Sequence, residues 1–130
     1  MRAMVVDDLL IARRLIVSNL KGLGFEEVME ADDGVMALQV LQKNSNKLDI
    51  IITDWLMPNM DGIEFVQELK GFDEYKNIPV LMVTSVDEKD NVIIAIKSGI
   101  SDYIAKPYTP DTLRKKVEWM LRLSKDYLLK

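Results

Sequence analysis

Leu48-Asp49-Ile50-Ile51-Ile52-Thr53-Asp54-Trp55-Leu56-Met57-Pro58-Asn59-Met60-Asp61-Gly62 is the stretch on which the reading of this chain turns. It opens with an apolar, β-branched run bounded by polar residues, the pattern of a strand buried on both faces of a parallel sheet. The run stops at Asp54, which puts a carboxylate at the carboxyl end of the strand. Open α/β sheets hold their ligands at that end. Met57-Pro58-Asn59 demands a turn, and Asp61-Gly62 opens the next helix with a capping side chain. An isolated Asp would do no more than end a strand or make an Asx-turn. Asp54 is not isolated.

Working outward, the same strand–helix alternation repeats on both sides. Ala3-Met4-Val5-Val6 predicts a buried strand ending at Asp7-Asp8, followed by a helix with Ala12, Ile16, Leu20 and Leu23 on one face. Phe25 to Ala31 is a more polar strand suited to a sheet edge, and Gly34 to Lys43 a helix with Ala37, Leu38 and Leu41 inward. After the central strand, Gly62 to Lys70 is a helix on Phe65, Val66 and Leu69. Pro79 to Val83 is a fourth buried strand leading to Thr84-Ser85, and Asp90 to Ser98 a helix stopped by Gly99. Asp102 to Ala105 is the fifth strand, ending at Lys106-Pro107. Pro110 suits the first turn of the last helix, whose core stripe is Leu113, Val117, Met120 and Leu121. Five strands alternating with five helices predict a doubly wound α/β domain with right-handed crossovers. Among such arrangements we choose the strand order 2-1-3-4-5. It brings Asp7, Asp8, Asp54 and Thr84 to one sheet edge, with Lys106 arriving from the fifth strand.

Composition narrows the chemistry. The 130 residues are 48% hydrophobic and 29% charged, the balance of one globular domain spanning 1–130. A net charge of −4 gives no support to a nucleic-acid partner. With neither Cys nor His in the chain, thiolate or imidazole catalysis and disulfides are excluded. No apolar run is long enough to span a membrane, and the first strand starts by Arg2 or Ala3, so a cytoplasmic location is expected. Three crowded carboxylates repel one another unless a cation joins them. All-oxygen ligation points to Mg²⁺. Lys106 is a counter-charge for an anion beside that metal, and Thr84 offers a hydroxyl donor. Together they suit in-line phosphoryl transfer onto Asp54, giving an aspartyl phosphate.

These motifs, taken in order, resemble the receiver domain of bacterial response regulators, in particular its single-domain chemotaxis members. The resemblance spans essentially the whole chain. It rests on Val5-Val6-Asp7-Asp8, Asp54 to Gly62, Thr84-Ser85 and Tyr103-Ile104-Ala105-Lys106-Pro107. It implies a flavodoxin-like (βα)5 fold and a phosphoacceptor role for Asp54, served by a sensor histidine kinase. It further implies Mg²⁺ on Asp8, Asp54 and the Leu56 backbone carbonyl, with Asp7 acting through water. Lys106 and Thr84 would contact the phosphoryl oxygens, Lys106-Pro107 would be cis, and Tyr103 would be the aromatic switch. The implied output face is helix 4, strand 5 and helix 5, binding an effector or a second copy. On our assumed helix register Ile93 points inward, while Val92, Ile96 and Trp119 are exposed beside Tyr103. Leu56 and Val86 stand where the family often has polar residues, which predicts slow phosphoryl loss. Leu56 also argues against an Asp-nucleophile phosphatase, which commonly has a second Asp there. Asp7-Asp8-Leu9-Leu10 argues against a flavin-phosphate loop.

Overall fold

β1 (Arg2–Val6), β3 (Ile50–Thr53) and β4 (Val80–Thr84) are built from residues that are almost all apolar, and they form the buried middle of a parallel sheet. β2 (Glu27–Ala31) and β5 (Asp102–Ala105) flank them, giving the order β2-β1-β3-β4-β5. The structure, a computed structural model, describes residues 1–44, 47–85 and 89–125. The connecting helices are α1 (Leu10–Gly22), α2 (Gly34–Lys43), α3 (Gly62–Lys70), α4 (Lys89–Ser98) and α5 (Pro110–Lys125). Alternation along the strands sorts the core into two layers. Met4, Val6, Ile51 and Met82 meet Ala37, Leu41, Phe65, Val66, Leu69 and Ala95, so α2, α3 and α4 cover one face. Ala3, Val5, Ile50, Ile52 and Leu81 meet Ile16, Leu20, Leu113 and Val117, so α1 and α5 cover the other.

Local chemistry sets the element ends. Asp61 caps α3 in a capping box, taking the Glu64 amide at 2.9 Å while the Glu64 side chain takes the Asp61 amide. Asp33 caps α2 through the Met36 amide. The expected second strand began at Phe25, but pairing starts only where Glu27 meets Arg2. The Phe25 amide is instead bonded to the Leu20 carbonyl at 3.2 Å, and its side chain is buried against the α1 layer.

α4 is turned differently from the expected register. Ile93, expected inward, is 41% exposed, and Val92, expected outward, is half-buried. The residue that α4 turns into the core is Ala95, with Val92 a turn before it. Ile94 and Ile96 are exposed as well. Trp119 is exposed on α5 as expected.

Candidate functional site

Each central strand delivers one chemical group to the carboxyl edge of the sheet. Asp7 follows β1, its amide bonded to the Ala31 carbonyl at 3.1 Å, and it is buried. Asp54 follows β3, its amide bonded to the Val6 carbonyl at 2.9 Å, and it is 8% exposed. Thr84 ends β4, fully buried, and its carbonyl accepts the Lys106 amide at 2.9 Å. Lys106 follows β5 and precedes Pro107 across a cis peptide bond.

Lys106 is the hub. Its Nζ donates to Asp54 Oδ2 at 3.1 Å and to Asp7 Oδ2 at 3.3 Å. The remaining carboxylate oxygens are held by backbone: Trp55 N–H donates to Asp54 Oδ1 at 2.7 Å, and Leu9 N–H to Asp7 Oδ1 at 2.9 Å. Burial pushes the Asp7 carboxyl up. The Leu9 amide and Lys106 oppose that and Asp54 reinforces it, leaving Asp7 above its ordinary value. Burial works against the Lys106 ammonium, but Asp54 and then Asp7 outweigh it, so its pKa is raised.

Asp8 is exposed and completes the cluster. Asp7, Asp8 and Asp54 each offer a carboxylate oxygen, and these oxygens lie within 4.8 Å of one another. Three oxygen donors with no nitrogen or sulfur among them fit a hard cation such as Mg²⁺. Leu56 opens the turn after Asp54 and is 61% exposed. Val86 lies outside the described residues. Tyr103 sits half-buried on β5, in register with Met82 and packed against the α2–α4 layer.

Sequence reasoning missed three features of this end of the molecule. Arg13 donates to the Asp7 backbone carbonyl at 2.9 Å and to Glu30 at 2.8 Å, tying α1 to β2 beneath the cluster. Leu9, Leu10, Ile11 and Leu15 are exposed around the start of α1, Ile11 at 78%. An unbroken apolar run there was the available signal. Asn59 donates to Asp33, a contact with no local sequence signature.

A metal-free cluster with Asp7 raised has a definite pH dependence. Asp7 contributes stability below its unfolded value of 3.8 and loses it as pH rises through the higher folded value. Mg²⁺ at neutral pH is then expected to raise the melting temperature, by about 2.7 kcal/mol of added stability at a hundredfold excess over Kd. Asp8→Ala should abolish most of that rise and leave metal-free melting nearly unchanged, because Asp8 is exposed and stands beside the like charges of Asp7 and Asp54. Thermal unfolding with Mg²⁺ and with EDTA checks both. A marked metal-free loss in Asp8→Ala would show instead that Asp8 is structural.

A parallel sheet in the order 2-1-3-4-5, with carboxylates from β1 and β3 and an ammonium from β5 at its carboxyl edge, defines a receiver-type domain. That order is the one known for flavodoxin and CheY. The chain belongs to the response regulator receiver domain family, whose profile matches residues 3–118. It is 41% identical over 121 residues to the chemotaxis protein CheY1 of Helicobacter pylori strain J99, covering 93% of this chain and 97% of that one. It is 42% identical over 121 residues to the chemotaxis protein CheY homolog of Campylobacter jejuni, covering 93% and 92% respectively. Among solved structures, the chemotaxis response regulator CheY4 of Vibrio cholerae superposes with a TM-score of 0.84 at 32% identity, covering 92% and 97%. The receiver domain of a Francisella response regulator superposes with a TM-score of 0.84 at 31% identity, covering 95% and 98%. Two-component signalling through a CheY-like receiver, not classical enzyme turnover, is the function class these similarities establish.

Proposed function

We propose that this chain is a Mg²⁺-dependent phosphoacceptor whose Asp54 receives a phosphoryl group from the phosphohistidine of a sensor kinase. The observation that carries the reading is the Lys106 Nζ held between Asp54 Oδ2 and Asp7 Oδ2 inside the acidic cluster. Asp8, Asp54 and the Leu56 carbonyl, with Asp7 through water, would hold Mg²⁺, which would supply positive charge beside the phosphoryl oxygens. Asp54 attacks phosphorus, the donor's P–N bond breaks, and the leaving imidazole takes up a proton. The Trp55 amide on Oδ1 fixes the rotation of the attacking carboxylate. Lys106 exchanges its carboxylate contact for a phosphoryl oxygen, and Thr84, at the end of the neighbouring strand, supplies a hydroxyl to another. The chain catalyses only its own phosphorylation and the hydrolysis that reverses it.

The kinase approaches over the exposed apolar start of α1, beside Asp7. The output leaves by α4, β5 and α5, toward an effector or a second copy, in a chemotaxis-type pathway in the cytoplasm. Phosphorylation replaces the single carboxylate charge of Asp54 with a phosphoryl group of about −1.5 to −2 charge and three acceptor oxygens, and Thr84 and Tyr103 carry the change to that face. Because β5 is the sheet edge with α4 and α5 on opposite layers, the exposed Ile93, Ile96 and Trp119 flank it from both sides. No helix among the described residues is long and apolar enough to cross a membrane.

Titration with Mg²⁺ and beryllofluoride, a phosphoryl mimic, tests the reading through tryptophan fluorescence, since Trp55 adjoins Asp54. A saturable response to beryllofluoride that requires Mg²⁺, on top of the response to Mg²⁺ itself, and that vanishes in Asp54→Ala is expected. No response, or an unchanged one in the variant, would contradict it. In the same two states, Ile96→Glu and Trp119→Ala should lose partner binding or self-association while keeping the fluorescence response. Unchanged binding would place the output surface elsewhere.

A further inference from the structure

The turn between Asp54 and α3 is pinned at its base and at its tip. At the base, the Gly62 amide donates to the Trp55 carbonyl at 2.7 Å. At the tip, the Gly34 amide donates to the Met60 carbonyl at 3.1 Å, and Asn59 Nδ2 donates to Asp33 Oδ2 at 2.8 Å. Both tip contacts reach across to the start of α2, an element with no residue in the acidic cluster. Asn59 holds a left-handed φ of 66°, and the Met60 amide bonds the Pro58 carbonyl at 2.7 Å, a three-residue turn centred on Asn59. Such a conformation is unfavourable for a residue with a side chain and persists where its surroundings impose it.

Asp33 is the side chain that meets Asn59 there. The residue is buried, and its two oxygens have separate partners: Oδ1 caps α2 through the Met36 amide at 2.8 Å, and Oδ2 takes Asn59. Capping a helix needs one oxygen, and Ser supplies it. The second oxygen serves the turn. α2 also presses directly on the turn, since a Cβ on Gly34 would lie 2.6 Å from Met60 Cγ.

We propose that the Asp33–Asn59 pair is a positioning contact for the phosphoacceptor site, fixing the turn that follows Asp54 and includes Leu56, whose backbone carbonyl the proposed function assigns to the metal. The inference rests on the reading that the cluster binds Mg²⁺. Outer partners that orient metal ligands matter because, without them, the ligand must be ordered at the moment of binding. Their loss typically weakens metal affinity 10- to 100-fold.

Two substitutions isolate the contact in the full chain. Asp33→Ser keeps a capping oxygen for Met36 and loses the one facing Asn59. Asn59→Gly keeps access to the left-handed φ and loses the amide. Mg²⁺ affinity by tryptophan fluorescence is expected to fall about tenfold in each, with metal-free melting moved little. The double variant should bind no more weakly than the weaker single one, because both remove one contact. Affinities within twofold of the parent, or losses that simply add in the double variant, would overturn the inference. A parent chain that does not respond to Mg²⁺ at all would overturn the metal reading and this inference with it.

Discussion

Gly62→Ala is expected to lower the stability of the fold by about 4 kcal/mol or more, a large share of the roughly 5–15 kcal/mol available to a domain. A Cβ at this position would stand 2.1 Å from the Asp54 carbonyl oxygen and 3.0 Å from Trp55 Cα, both backbone atoms. A flexible side chain could move aside; these cannot. Asp54 N is bonded to Val6 O and Gly62 N to Trp55 O, so displacing the strand end also breaks the base of the turn. Gly22, at the end of α1, is the control, because nothing lies within 4 Å of a Cβ there. Gly22→Ala should be neutral or stabilising by up to about 1 kcal/mol through helix propensity. Urea unfolding of both variants, at equal m, reads the difference. A Gly62→Ala midpoint matching the parent would mean that the turn has slack that these distances deny.

Lys106→Met is expected to slow Asp54 phosphorylation about 100- to 1,000-fold, the usual consequence of removing one preorganised donor to developing charge. The methionine keeps an unbranched apolar chain out to the Cε position and lacks the ammonium. A second effect has the opposite sense for metal: without Lys106, Asp7 and Asp54 lose their shared cation. Mg²⁺ should therefore become a larger contributor to stability, and its stabilisation of the variant should exceed that of the parent. Single-turnover phosphorylation with a small phosphodonor, set beside melting curves with and without Mg²⁺, separates the two. A variant phosphorylated at the parent rate would remove Lys106 from the chemistry.

Much of this site was legible in the sequence because the fold places groups by a simple rule. Asp7, Asp54, Thr84 and Lys106 each sit where an apolar strand gives way to a polar residue, and a parallel sheet collects such positions at one edge. The cap at Asp61 was equally readable, since a capping box is contained within four residues. What escaped was whatever lacks a local phase. In Val92-Ile93-Ile94-Ala95-Ile96 nearly every position is apolar, so the pattern cannot say which face is inward. Packing settles it in favour of the small Ala95, which lets the helix approach the sheet. The start of α1 has the same ambiguity at Leu9-Leu10-Ile11. The Asp33–Asn59 and Arg13–Asp7 contacts are invisible for a different reason: each joins separate elements, the first across 26 positions. Each of those residues has an adequate local role to hide behind, Asp33 as a cap and Arg13 as a surface charge on a helix.

Two properties define a phosphoacceptor site of this kind: Asp54 is the acceptor, and a divalent cation is required. Intact-mass spectrometry after incubation with acetyl phosphate measures both at once. With Mg²⁺ the chain should gain one phosphoryl group, located by peptide mapping at Asp54. Asp54→Asn should gain none, and the parent chain in EDTA should gain almost none. Equal labelling of Asp54→Asn, or labelling that is indifferent to EDTA, would contradict the assignment of this acidic cluster as a metal-dependent phosphoacceptor site.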